Sequence, residues 1–108
     1  MTEFYNQVKE RLMRYARINT ESNPHSTSVP TTSCQHDLAK VIYEELQRIG
    51  ATDVYYDKDT CVVYGSLEAN IETGRAIGFV THMDTAPDAS GKDVKTWVLE
   101  NYNGNDIV

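Results

Sequence analysis

The sequence predicts an α/β fold with two helices and about three strands of a mixed sheet. Two segments carry apolar residues at helical spacing, and three short segments are rich in β-branched and aromatic residues. The central segment, residues 76–80, is apolar and uncharged and then gives way abruptly to polar residues. So short an apolar run is typical of a strand that is buried on both faces of an α/β sheet.

The first helix is predicted to begin at Thr2, as its N-cap, and to end near Arg17. Its apolar residues recur at helical spacing and form one stripe, made of Phe4, Val8, Leu12 and Tyr15. Such a stripe is typical of a helix that packs against a core, so we expect these residues to be buried. The polar and aperiodic residues 19–31 that follow are a predicted loop.

The second helix has the clearest boundaries in the sequence. Thr32 and Gln35 stand at the spacing of a capping box. Thr32 is therefore the predicted N-cap of a helix over about residues 33–49, and Gly50 follows at the position of a left-handed C-cap. The predicted core face of this helix consists of Leu38, Val41, Ile42, Leu46 and Ile49, with Glu45 at its edge.

Two further strands are predicted between this helix and the central strand. Residues 53–57 and 61–67 are rich in valine and tyrosine, which favours strands. The turn composition of residues 58–60 allows the two strands to form a hairpin. Residues 68–75 are polar and are a predicted loop.

With 108 residues, the chain forms at most one domain. Its composition, 40% hydrophobic and 24% charged, is that of an ordinary folded protein. The formal net charge of −6 argues against nucleic acid as a partner, because phosphate binding needs a basic surface. No apolar run approaches the roughly 20 residues of a membrane span, and no export signal is seen. We therefore expect a cytoplasmic protein without a membrane partner. Cys34 and Cys61 lack ligand spacing and are expected to be reduced, partly buried thiols.

Polar side chains follow the central strand at the end where α/β sheets place their sites. His82 and Asp84 lie two positions apart, so in extended backbone they point to the same side and can share one cavity. Imidazole is a common zinc ligand, and its second nitrogen usually needs a carboxylate or carbonyl to orient it. The pair is therefore a candidate metal site, with a structural turn as the alternative. His25 and His36 are expected to be solvated surface residues.

The predicted elements do not complete a domain. Two helices and about three strands bury too little surface to cover both faces of a central parallel strand. The apolar residues 107–108 come directly after a polar turn. We therefore expect residues 1–108 to be the opening part of a larger α/β domain.

Residues 81–95 resemble the first metal-site motif of the aminotripeptidases (peptidase T), which are co-catalytic dizinc exopeptidases. They read Thr-His-Met-Asp-Thr-Ala-Pro-Asp-Ala-Ser-Gly-Lys-Asp-Val-Lys, and Pro-Asp-x-Ser-Gly-Lys is far more particular to the tripeptidases than His-x-Asp. Residues 100–107 are similar to a second stretch of the family, Glu-Asn-Tyr-x-Gly-x-Asp-Ile. The resemblance covers nearly all of this chain but only the N-terminal portion of the family's length.

This resemblance implies that residues 1–108 are the N-terminal part of a metallopeptidase catalytic domain that holds two Zn²⁺ ions. His82 would be a ligand of one zinc, and Asp84 would be the catalytic carboxylate that holds the His82 imidazole. The other ligands of the family, its general base and its lid and dimerisation domain lie further along the family sequence. The site in this chain is therefore expected to be incomplete.

The implied activity is the release of the N-terminal residue from tripeptides, with a small peptide as substrate and a possible homodimer in the full-length form. The 108-residue chain alone is expected to be inactive. Two alternatives stay open on the sequence: a non-catalytic truncated remnant, and a dipeptidase or deacylase of the same clan.

Overall fold

The computed structural model describes residues 2–72 and 74–107. Met1, Thr73 of the predicted loop and Val108 of the apolar C-terminal pair lie outside the described residues. The elements are, in chain order, α1 (Thr2–Ala16), α2 (Gln35–Arg48), β1 (Thr52–Asp57) and β2 (Val62–Ser66). The predicted mixed α/β class is confirmed, with both helices and the hairpin in their predicted places.

Helix α1 contains no buried residue in the part of the chain that the structure describes, so the predicted burial of its apolar stripe is wrong. Phe4 is 72% exposed and Leu12 is exposed as well. The helix meets α2 through polar atoms instead, since Arg11 Nε and the Tyr15 hydroxyl both donate to the Glu45 carboxylate. Because these polar contacts attach α1, most of its apolar stripe is left without cover among the described residues.

Helix α2 begins at Gln35, slightly later than predicted, with Cys34 in the N-cap position and no side-chain cap. The hydroxyl of Thr32, the predicted cap, donates to the main-chain oxygen of Glu21 at 2.6 Å. Gln35 Nε2 donates to Thr32 Oγ1 at 3.2 Å. The predicted N-cap is therefore wrong: the two side chains of the expected capping box meet each other and tie the helix start to the preceding loop.

The small core lies where α2 packs on the hairpin, and it includes Leu38, Ala39 and Cys61. Glu45 is also buried, at only 7% exposure, so its predicted place at the edge of the apolar face is wrong. Its burial follows from its partners, because two arginines and a tyrosine of α1 surround the carboxylate. After α2, Gly50 has a φ of +81°, which confirms the predicted left-handed cap that glycine adopts without strain.

Strands β1 and β2 pair antiparallel, as predicted, and Asp57 stands opposite Val62 at the turn end of the hairpin. The Asp57 carboxylate stabilises the turn. It accepts hydrogen bonds from the Thr60 hydroxyl at 2.7 Å and from the main-chain N–H of Asp59 at 2.9 Å. These bonds, that of Thr60 first, hold the pKa of Asp57 below its usual range because they favour the ionised form.

Residues 76–80 do not form the predicted central strand. The segment is irregular, Ile77 and Phe79 are exposed, and Val80 is fully exposed. A strand needs a neighbour whose main chain pairs with its own N–H and C=O groups. The sheet that the described residues form consists of β1 and β2 alone, so no neighbour is present and the prediction of a third strand is wrong.

The described residues contain neither a disulfide nor a helix suited to a lipid bilayer. Cys34 is half-buried and Cys61 is buried, and both are free thiols, which confirms the expectation of unpaired and partly buried cysteines. No described helix combines the length and the apolar character that a membrane crossing requires.

Candidate functional site

The two predicted site residues, His82 and Asp84, contact each other directly. His82 Nδ1 lies 2.8 Å from the main-chain oxygen of Asp84 and 3.2 Å from its carboxylate Oδ1. A main-chain oxygen and an ionised carboxylate only accept hydrogen bonds, so Nδ1 is the protonated nitrogen that donates to them. In the neutral form of such a ring the other nitrogen, Nε2, carries the free lone pair. A histidine whose Nδ1–H is held by a hydrogen bond is oriented to bind a metal ion through Nε2.

The pair faces solvent in this structure. The His82 side chain is 83% exposed and the Asp84 side chain is 44% exposed. Because water competes strongly for the polar atoms of an exposed contact, the contact orients the imidazole but contributes little to the free energy of folding. The contact therefore sets the orientation of an imidazole that stays open to solvent.

The backbone directly after Asp84 is fixed by the loop that follows α1. The N–H of Thr85 donates to the main-chain oxygen of Thr20 at 3.1 Å, and the N–H of Ser22 donates to the oxygen of Thr85 at 2.9 Å. Glu21 and Thr85 thus form one isolated bridge of parallel β type. This bridge attaches the exposed His82–Asp84 segment to the body of the protein.

Glu21 binds the same segment a second time, through its side chain. Its Oε2 accepts the main-chain N–H of Gly91 at 2.9 Å. The loop around Glu21 is itself held, because Asn19 Oδ1 accepts the Glu21 N–H at 3.1 Å and the Thr32 hydroxyl binds the Glu21 oxygen at 2.6 Å. Sequence reasoning missed this role, since residues 19–31 showed only polar composition without a pattern.

The other histidines are not brought to His82 as further ligands. His25 is exposed, as expected. His36 is half-buried, and its Nδ1 bonds to the hydroxyl of Tyr56. Burial, with a smaller contribution from the nearby Cys61, raises the pKa of Tyr56, and burial likewise raises the pKa of the Cys61 thiol. The sequence had suggested only a surface position for His36.

A complete zinc site does not fit the residues at hand. Within residues 2–72 and 74–107, no three histidine, cysteine, aspartate or glutamate side chains are grouped so that they could hold one metal ion. Catalytic zinc usually takes three protein ligands and a water. His82 and Asp84 supply one oriented nitrogen and its supporting carboxylate, and their assignment to a metal site stays a prediction.

Comparison with known proteins identifies relatives although no family model matches the chain. The chain is 46% identical over 102 residues to "Peptidase T" of Alkaliphilus oremlandii, and the match covers 92% of this chain and 25% of that protein. It is 45% identical over 103 residues to "Peptidase T" of Geobacillus kaustophilus, covering 94% of this chain and 25% of the relative. The chain thus spans about a quarter of the length of the relatives it matches. The predicted resemblance to the peptidase T family is therefore confirmed over nearly the whole of this chain.

Proposed function

We propose that this chain is part of a zinc-dependent aminopeptidase of the peptidase T type, which releases the N-terminal residue from tripeptides. The observation that carries the proposal is the geometry at His82, whose Nδ1 is engaged by Asp84 while Nε2 makes no hydrogen bond to any other described residue. The sequence relation to proteins named peptidase T supports the reaction class. In this proposal His82 binds one of two zinc ions, and Asp84 is the catalytic carboxylate that holds the imidazole.

In this proposal the residues of this chain provide one metal ligand and the group that orients it, not the complete set of catalytic groups. Asp84 holds the Nδ1–H tautomer of His82 and fixes the orientation of the ring, and support of this kind strengthens the bond between a ligand histidine and its metal. A zinc ion held by His82 together with further ligands would lower the pKa of a coordinated water to roughly 7. The described residues do not supply the further ligands or the general base. We propose that these groups come from the part of a family-length protein that lies outside the region matched here.

The setting of this activity is proposed along with it. The proposed substrate is a small peptide, the proposed compartment is the cytoplasm, and the proposed assembly of the family-length protein is a homodimer. Neither nucleic acid nor a membrane is a proposed partner, because the net charge of −6 gives no basic surface for phosphate.

The test compares site variants in a family-length protein that carries this chain. His82→Ala is expected to lose the metal bound at one position and to abolish tripeptide hydrolysis. Asp84→Asn keeps the ligand count and is expected to reduce zinc affinity or activity by roughly 10–100-fold, as second-shell changes do. His25→Ala is the matched control, since His25 is an exposed histidine outside the site, and it is expected to behave like the parent protein.

Zinc content per chain and turnover of tripeptides, dipeptides and acylated amino acids are measured for each variant. Full zinc and full activity in His82→Ala would refute the ligand assignment. Faster turnover of dipeptides or acylated amino acids than of tripeptides would refute the tripeptidase assignment and leave the ligand assignment intact. The 108-residue chain alone is expected to bind zinc weakly and to hydrolyse no tripeptide, because the described residues do not provide a complete donor set.

A further inference from the structure

We propose that Glu21 is a positioning residue for the His82–Asp84 pair, an inference that rests on the proposed function. Glu21 lies far from this pair in the sequence but contacts the segment that carries it at two points. It stands opposite Thr85, the residue directly after Asp84, in the parallel bridge whose two hydrogen bonds are made by its chain neighbours Thr20 and Ser22. Its carboxylate holds the N–H of Gly91 at 2.9 Å. The Glu21 carboxylate therefore fixes the far end of the turn that follows the site, while the main chain on either side of Glu21 fixes the near end.

The two contacts act on the site through the backbone. Residues 76–80 before the site are irregular and exposed, so the geometry of His82 and Asp84 depends on what holds the chain after them. At Thr85 the bridge sets the direction in which the backbone leaves Asp84. At Gly91 the carboxylate closes the same turn onto the loop. Loss of the carboxylate would free the far end of the turn and leave the near end held by the bridge that Thr20 and Ser22 form with Thr85.

Gly91 has a packing reason to be glycine. A Cβ added at Gly91 would lie 2.6 Å from Asn19 Oδ1 and 3.4 Å from the Cβ of Glu21. Contacts as short as the first force one of the two groups to move. Asn19 Oδ1 is the atom that accepts the Glu21 N–H. The close approach at Gly91 and the anchoring of Glu21 therefore belong to one arrangement, and Gly91→Ala disturbs it without removing the carboxylate.

The first test measures amide hydrogen exchange in this chain. Glu21→Ala is expected to speed exchange at Gly91 and Thr85 by about tenfold or more, while exchange in α2 and the hairpin stays unchanged. Glu21→Gln keeps an oxygen acceptor and is expected to restore most of the protection. Gly91→Ala should loosen the same two amides. Glu72→Ala, an exposed glutamate in the loop before the site, is the matched control without effect.

The second readout connects Glu21 to the imidazole itself. Long-range ¹H–¹⁵N spectra at about pH 8.5, where histidine is neutral, report which ring nitrogen of His82 carries the proton. The Nδ1–H tautomer is expected to dominate in the parent and in Glu21→Gln, and to lose population in Glu21→Ala. In an active family-length protein, Glu21→Ala should lower kcat by roughly 10–100-fold with KM nearly unchanged, since misplaced catalytic groups cost that much.

The outcomes separate this inference from the proposed function. Unchanged exchange at Gly91 and an unchanged His82 tautomer in Glu21→Ala would overturn the positioning role. Equal loosening of α2 and the hairpin would also overturn it, because Glu21 would then be a general stabilising residue. An inactive parent of family length would refute the proposed peptidase activity, while the exchange and tautomer measurements would still decide whether Glu21 orients His82.

Discussion

Replacement of Glu45 tests how α1 is attached to the rest of the protein. Arg11 Nε donates to its Oε2 at 2.9 Å, the Tyr15 hydroxyl donates to the same oxygen, and Arg14 contacts Oε1. Helix α1 has no buried residue of its own among those described. These contacts are therefore the principal link between α1 and α2 that the structure shows.

The magnitude follows from the burial of the partners. A hydrogen bond to a charged group contributes about 1.5–3 kcal/mol, and breaking a buried ion pair costs about 3–5 kcal/mol. Glu45 is buried, but the Arg11 and Arg14 side chains are 41% and 50% exposed, so water compensates them when the carboxylate is removed. After that discount for screening, we expect Glu45→Ala to lower the free energy of unfolding by about 2 kcal/mol.

The assay is urea unfolding followed by far-ultraviolet circular dichroism, with amide exchange in α1 as a local readout. Glu44→Ala is the matched control, because Glu44 is the exposed neighbour on the same helix and should cost less than about 0.5 kcal/mol. In Glu45→Ala the amides of α1 should exchange faster than those of α2. Equal stability of the two variants, within about 0.5 kcal/mol, would refute the account of α1 attachment.

Two further predictions concern the backbone and the hairpin turn. Gly50→Ala should lower the free energy of unfolding by about 1 kcal/mol in thermal melts because φ is +81°, whereas Gly78→Ala, with open space around it and no positive φ, should be nearly neutral; equal effects would contradict the left-handed cap. The pKa of Asp57 is lowered by its hydrogen bonds to Thr60 and Asp59, so its stabilising contribution is present above the ordinary aspartate pKa and is lost as pH falls through the lowered value. The stability difference between the parent and Asp57→Asn should therefore shrink in acid, and a difference independent of pH in urea titrations would show that these bonds do not shift the pKa.

Local signals in the sequence predicted local structure correctly. Gly50 was expected as a left-handed cap from its place after an apolar helix face, and the structure confirms it. The hairpin was expected from two β-rich segments around residues 58–60, and its pairing is antiparallel as predicted. Each of these features depends on residues within a few positions of one another, so the sequence alone contains the relevant interactions.

Apolar patterns in the sequence predicted which residues should be buried but did not identify the surface against which they would pack. Phe4 of α1 and Phe79 of the expected central strand are both strongly exposed. Their spacing is right for a buried helix face and a buried strand, yet burial needs a second surface and a strand needs a pairing partner. The described residues supply neither a covering surface nor a pairing strand. The apolar spacing was therefore identified correctly, but the burial predicted from it was wrong.

The sequence predicted the contact between His82 and Asp84 but gave no signal for the contribution of Glu21. His82 and Asp84 are two positions apart, and the expected support of the imidazole by Asp84 is present in the structure. Glu21 could not be found by spacing, since its contact with Gly91 joins residues 70 positions apart. Glu45 shows the same limit, because the arginine that binds it lies 34 positions away on another helix.

The bridge between Glu21 and Thr85 also bears on how the chain folds. The Asp57–Thr60 contact of the hairpin closes a loop of 3 positions, whereas the Ser22–Thr85 contact of the bridge closes one of 63. Each doubling of loop length adds about 0.6 kcal/mol of closure entropy, and nonlocal contacts form slowly for this reason. We therefore expect the hairpin and α2 to form early and the backbone around His82 to order last. The segment that carries the proposed chemistry would then be the last part of the chain to fold and the first to unfold.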